Sequence, residues 1–416
     1  MNFPLITNDA VVLGILMIIL AAVFVTSSSD RPSLKKFYTF IPPLLLCYFI
    51  PSLLSTLGVF SGDQSRLYPI ASQYLLPTSL VLLTISIDLK AIARLGPKAI
   101  IMFLGGTFGI ILGGPIAILI VSMIDPQLVG GQGPDAVWRG LTTIAGSWIG
   151  GGANQTAMKE VFEVSDNLFS VMIAVDVLVA NVWMACLLFA AARAKRIDNW
   201  LGADATAIEE VKKKVEEYRA RVAKIPTLSD TMVVLAVGFG LTGLAHLGAD
   251  FITPRIQQSA PYLEQLSLTS KFFWIVVIAT TGGLILSASE RVRRLEGVGA
   301  SRLGSVFLYV LIATIGMRMN ILSVFDQPGL FLVGIIWMIV HVAIMLALAY
   351  LIKAPTFFVA VGSQANVGGA ASAPIVASAF HPALAPVGVL LAVLGYALGT
   401  YGAWLSGQLM RLLAPE

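Results

Sequence analysis

Charge is scarce in this chain: Asp, Glu, Lys and Arg make up 12% of its 416 residues, against about 25% in an average soluble domain. Set beside a hydrophobic content of 57%, that scarcity excludes a soluble globular fold and leaves a polytopic membrane protein. Cysteine is nearly absent. Cys47 and Cys186 both lie inside apolar runs, so neither a disulfide framework nor a thiolate metal centre is available. The histidines His246, His341 and His381 fall in separate segments without ligand spacing, which gives an imidazole metal site no support. The net charge is only +4, and the basic residues sit between apolar runs, where they report orientation in a bilayer rather than affinity for nucleic acid. No nucleophile triad, phosphate loop or paired acid-base site occurs, so neither an enzyme nor a cofactor is expected.

What the chain does contain is a succession of apolar stretches near residues 9–27, 37–60, 70–90, 99–124, 139–164, 168–192, 229–251, 271–288, 303–322, 329–352, 356–380 and 385–409. Each is long enough to approach the roughly 30 Å of a bilayer core. The first lacks a basic leader and a cleavage pattern, and reads as a retained span. Continuous Leu, Ile, Val, Ala and Gly, without strand-like alternation, requires helices, because backbone groups in lipid need partners within their own segment. The expected fold is an all-α integral membrane protein.

The polar stretch from Arg193 to Pro226 divides the chain. Its core places Glu209 and Glu210 four residues before Lys213 and Lys214, the spacing of an exposed helix. We therefore expect a first membrane repeat over 1–192, a polar helical connector over 193–228 and a second repeat over 229–416. On each side the order of features recurs: a span closing on Ile85-Ser86-Ile87-Asp88 or on Ile315-Gly316-Met317-Arg318, then a Gly-rich span, an interrupted span and a final span. The halves read as internal duplicates. Asp88 and Arg318, which end the matched spans, either pair or line an access route, or else reach the headgroups as interface residues. Pro42, Pro43, Pro51 and Pro77 should bend their spans.

Basic clusters at Arg31/Lys35/Lys36, Lys90/Arg94/Lys98, Arg291/Arg293/Arg294/Arg302, in the connector and at Arg411 should face the cytoplasm. Twelve crossings cannot satisfy all of them. The charges ask for the N-terminus outside, the C-terminus inside and an odd number of crossings, so either one stretch is re-entrant or at the surface, or a crossing is hidden. An odd offset also inverts the second repeat relative to the first. About 11–13 transmembrane helices are expected.

The interrupted spans carry the chemistry. Gly146-Ser147-Trp148-Ile149-Gly150-Gly151-Gly152-Ala153-Asn154-Gln155 and Gly362-Ser363-Gln364-Ala365-Asn366-Val367-Gly368-Gly369 put glycines beside amides and hydroxyls in both halves. Each glycine weakens a helix by about 1 kcal/mol relative to alanine. Open backbone at that depth is tolerated only against protein or water, the mark of a transport site. Asn154 stands where the N-cap of a half-helix from Gln155 to Phe162 belongs, and Ser372 precedes Ala373-Pro374 as a second cap. Two positive helix ends attract an anion, while freed carbonyls and side chains coordinate a cation. Substrate is expected at Ser147, Trp148, Asn154, Ser363, Asn366 and Ser372, and the coupling ion at Gln155, Asp176, Asn181 and Gln364. Asp176 lies deep in its span, where a carboxylate is costly unless it serves an ion or a proton. Lys159 and Glu160 read as a solvated helix end, and aromatic packing is the commoner role for Trp148.

These two motifs, with Ala313-Thr314-Ile315-Gly316, resemble the YjcL-like membrane proteins of bacteria and plastids over nearly the whole chain. That family is grouped with the cation/proton antiporters and anion transporters, among them the bile-acid sodium symporters. The resemblance implies inverted repeats, a panel domain, a core domain with two interrupted crossing helices, an elevator-like movement and a homodimer in the inner (plasma) membrane. It places Asn154, Gln155, Gln364 and Asn366 in the crossing region and Asp176 on the neighbouring core helix. No lysine occupies residues 385–409, a departure from the antiporters of the group that favours symport. The expected activity is sodium- or proton-coupled symport of a small anionic organic solute such as a carboxylate, amino acid or short cell-wall peptide. A sodium/proton antiporter and a membrane receptor or scaffold are the alternatives.

Overall fold

The computed structural model describes residues 4–203, 226–319, 327–381 and 384–415. Among them every regular element is helical, as lipid requires. The helices used below are α1 (Asp9–Ser27), α2 (Pro32–Phe40), α3 (Pro43–Thr56), α4 (67–84, with a π turn at Ala71–Leu75), α5 (Pro97–Ser122), α6 (Val137–Val161), α7 (Asp166–Ala191), α8 (Ala194–Leu201), α9 (Leu228–Ser259), α10 (Lys271–Ser287), α11 (Ala300–Gly316), α12 (Leu330–Ile352), α13 (Thr356–Val367), α14 (Gly369–Phe380) and α15 (Ala385–Leu413). All twelve apolar stretches reappear, each as one helix or one broken helix. Residues 209–214 of the connector and the end of the 303–322 stretch lie outside the described residues.

By length and composition, six helices (α1, α5, α7, α9, α12 and α15) can cross a bilayer unaided, and two bent pairs raise the number to eight. One pair turns by 82° between Pro32–Tyr38 and Pro43–Thr56, where Pro42 and Pro43 end one helix and start the next. The other bends by 102° between Lys271–Ser287 and Glu290–Val298. The remaining stretches are α4, α11 and the two glycine-broken segments.

Those broken segments do not continue through the bilayer. A straight helix over the 25 residues of α6 would be about 37 Å long. Yet Arg139 Nη1 donates to Phe162 O at 2.6 Å, the Trp138 and Phe162 rings lie 5.8 Å apart, and Ser165 N donates to Pro134 O at 3.0 Å. The chain reverses at Gly151, with φ 72° and ψ −173°, a conformation open only to glycine. Its two arms run so close that a Cβ on Gly146 would lie 2.6 Å from Asn154 O. In the second copy the rings of Phe357 and Phe380 lie 5.3 Å apart, whereas a continuous helix would separate them by roughly 35 Å. That reversal falls between α13 and α14, where Gly369 has φ 59°.

Both segments are therefore re-entrant hairpins, and the expectation of two crossing half-helix pairs is corrected. Glycines in sequence announce a break in the helix but not the angle the chain takes through it.

The reversals decide the topology. Leu5 N bonds Gly58 O at 3.0 Å, Asp9 accepts from Ser65 and Arg66 N, Lys159 reaches Tyr68, Trp404 donates to Leu266 O, and a Cβ on Gly130 would lie 3.9 Å from Pro415. These contacts gather both chain ends and the open end of the α6 hairpin on one face, the terminal face. On the opposite face Lys98 Nζ bonds Lys353 O at 3.0 Å, Ser86 meets Glu296 at 2.5 Å, and Asp198 accepts from Thr356 N at 2.7 Å. This basic face carries Lys90, Arg94, Lys98, Arg193 and Arg291, together with the open end of the α13–α14 hairpin. Among the described residues, two of the twelve stretches turn back and ten run from face to face, so the described ends of the chain lie at the same face of the helix bundle.

Each half then holds five traversing stretches and one hairpin, an odd number that inverts the second copy. Accordingly α5 and α12 run antiparallel, Gly105 meeting Leu348, Gly109 meeting His341 and Gly113 meeting Trp337. Packing echoes between the halves: α4 lies on α10 as α11 on α3, α9 on α4 as α1 on α11, and α7 on α12 as α15 on α5. Helices α1–α4 with α9–α11 form one body, and α5–α7 with α12–α15 form the hairpin body.

Candidate functional site

The two hairpin tips meet. A Cβ on Gly369 would stand 3.9 Å from Gly151 Cα, and beside the tips lies a cavity of about 440 Å³. Its hairpin-body wall is formed by Ser147, Gly151, Gly152, Asp176, Asn181, Gln364, Gly368, Gly369 and Ser372, and its other wall includes Phe24, Pro43, Leu83, Ser305 and Tyr309. Phe24 ends α1, Pro43 begins α3 and Leu83 ends α4, so the cavity extends from mid-depth toward the basic face.

Among the described residues Asp176 is the only charged side chain on this lining. It is 3% exposed and accepts from Trp148 Nε1 at 2.7 Å and from Gln155 Nε2 at 2.9 Å. Both donors are neutral, and Ser147 stands beside the carboxylate on the wall. A buried carboxylate without a cationic partner is costly. Gln155 Oε1 and Gln364 Oε1, one from each hairpin, are buried without a hydrogen-bond partner, leaving acceptor capacity at the junction. Gln364 Nε2 donates to Ser372 Oγ at 2.7 Å and ties the two arms of its hairpin at the tip. Ser372 therefore serves the turn rather than capping a helix, since α14 already begins at Gly369.

Other residues singled out by sequence lie behind the tips. Asn154 Nδ2 donates to Gly150 O at 3.1 Å and to Tyr396 O at 3.0 Å, and its Oδ1 accepts from Thr400 at 2.7 Å. Asn366 is held likewise, donating to Phe103 O at 2.8 Å and Gly362 O at 3.0 Å and accepting from Thr107 at 2.8 Å. With their polar atoms engaged and no place on the cavity wall, both asparagines brace the hairpins against α15 and α5. Asn154 caps no helix.

Ser363 is buried between Trp183 Nε1 and His341 Nε2, each at 2.8 Å. Trp148 packs on Trp337 with ring centroids 5.2 Å apart and reaches the site only through Asp176. Asn181 lines the cavity and donates to Val177 O at 2.7 Å. Asp88 caps the short helix Leu89–Ala93 on the basic face, far from Arg318 on the terminal face. Lys159 is 6% exposed in an ion-pair cluster, which corrects its reading as a solvated end. Thr107, Thr400, Trp183, His341 and Tyr396 gave no sequence signal of their own. Among the described residues no three His, Cys, Asp or Glu side chains gather to hold a metal ion.

Residues 14–413 match the family described as "Protein of unknown function (DUF819)". The chain belongs to DUF819. A curated relative, "Uncharacterized membrane protein YjcL" of Bacillus subtilis (strain 168), is 25% identical over 363 residues, covering 83% of this chain and 85% of the relative. Resemblance to the YjcL-like proteins thus holds along the chain, and this DUF819 protein is a multi-pass membrane protein with its helices in the bilayer.

Proposed function

We propose that this DUF819 protein is a secondary active transporter that couples uptake of a small organic solute to entry of a cation. The observation that supports it is the pair of inverted hairpins whose tips meet at a mid-depth cavity holding one carboxylate with only neutral donors. The cation would sit at Asp176 with Ser147 and Gln155 as further oxygen ligands. An anionic group of the solute would lie against the return arms 152–161 and Gly369–Phe380, whose N-terminal ends point at the cavity. The hairpin body would move against the other body in an elevator-like step, with a homodimer holding the latter still. The positive-inside rule makes the basic face cytoplasmic and sets both termini outside, in the plasma membrane.

Sodium/proton exchange at Asp176 is the second reading, supported by a buried carboxylate on the cavity wall whose hydrogen-bond donors, Trp148 and Gln155, are both neutral. Thermal-shift measurements on the purified protein separate the two. Sodium should raise the melting temperature of the wild type and leave Asp176→Asn unchanged, and an organic anion should add a further sodium-dependent rise. A sodium response without any solute response favours exchange, and an equal sodium response in Asp176→Asn moves the coupling site elsewhere.

A further inference from the structure

A cluster of charges closes the seam between the two bodies on the terminal face. Asp166, at the start of α7, holds Lys159 Nζ at 2.9 Å with one oxygen and Arg318 Nη2 at 2.8 Å with the other. Lys159 also donates to Tyr68 Oη at 3.0 Å, and Tyr68 donates to Glu160. The Arg318 guanidinium stands 4.6 Å from the Tyr68 ring. Lys159, Glu160 and Asp166 belong to the hairpin body. Tyr68 on α4 and Arg318 just past α11 belong to the other. Lys159 is 6%, Asp166 20% and Arg318 30% exposed.

Buried ion pairs are a weak means of fixing two surfaces permanently, because desolvation offsets most of the Coulomb gain. They suit a contact that must open, since each charge recovers hydration when the seam parts. The cavity, meanwhile, extends to the opposite side of the same seam, toward Phe24, Pro43 and Leu83.

We propose that Asp166, gripping Lys159 and Arg318 with Tyr68 stacked beneath, is the gate of the terminal face. The structure is then the conformer open toward the basic face, and the cavity reaches the terminal face only when Arg318 and Tyr68 leave the hairpin body. This rests on the transport reading of the cavity, but its test needs no solute.

In a chain carrying Cys47→Ala and Cys186→Ala, Ala180→Cys places one thiol on the cavity wall, and a membrane-impermeant maleimide is applied from either side of oriented vesicles. Labelling should come mainly from the basic face. Arg318→Gln or Asp166→Asn should raise the rate from the terminal face by about tenfold, the scale of one lost charge-assisted contact, and Arg318→Lys should restore the original sidedness. Arg318→Gln and Asp166→Asn proteins that stay monodisperse and label at unchanged rates from both sides overturn the gate. A shift in sidedness without uptake of any solute leaves the gate standing and removes the transport reading instead.

Discussion

At the scale of single residues, glycine decides what the broken segments can do. Gly151 has room for a methyl group, its nearest neighbour being a Tyr396 ring carbon at 3.7 Å, yet its φ of 72° with ψ of −173° is closed to side chains. Gly151→Ala should therefore cost about 1–3 kcal/mol through backbone strain alone, read as a lower melting temperature in detergent. Gly368 carries no such strain, with φ −110°. There a Cβ would collide with Ser372 Oγ at 1.8 Å and Gln364 Nε2 at 2.1 Å, so substitution breaks the tip hydrogen bond instead. Sequence marked both glycine clusters because two or three glycines in a row are costly in a helix. It gave no means of telling a strained turn from a crowded one.

At the scale of elements, each hairpin is held by an asparagine reaching a neighbouring helix. Asn154→Ala removes the acceptor of Thr400 Oγ1, which keeps Thr280 Oγ1 at 3.2 Å, and a donor to the carbonyls of Gly150 and Tyr396, at a cost of about 1–3 kcal/mol. The expected outcome is a lower melting temperature with the sodium response of the remaining folded protein retained. Loss of that response at unchanged stability would return Asn154 to the ligand set. The amides were legible as residues out of place in lipid, and the same logic found Asp176. Whether a buried amide turns to a cavity or to a backbone carbonyl depends on the arm's rotation, which residue order leaves open.

At the scale of the whole molecule, the count of traversing stretches follows from two turns. With ten stretches running from face to face, tags fused to the N-terminus and to the C-terminus should be protected from protease on the same side of sealed vesicles, and reagents from the other side should reach the Lys90–Lys98 segment. Tags on opposite sides would mean that one hairpin traverses. The charge pattern argued that twelve crossings fail and that the copies are inverted, but it asked for an odd number of crossings. It also asked for the two termini on opposite sides, and the tag experiment decides between that expectation and the arrangement of the bundle.

Sequence by itself determined the class of solvent, the helical class, the duplication and the two places where helices cannot continue. These depend on composition and local propensity, and a bilayer leaves few alternatives. Only the tertiary structure decided that the breaks reverse the chain, that their tips meet, and that Asp166 joins two bodies through Lys159 and Arg318. The reversals depend on dihedral angles at one or two glycines, and the contacts that join helices and bodies on partners about 90 to 250 positions away in the chain, which local order does not encode.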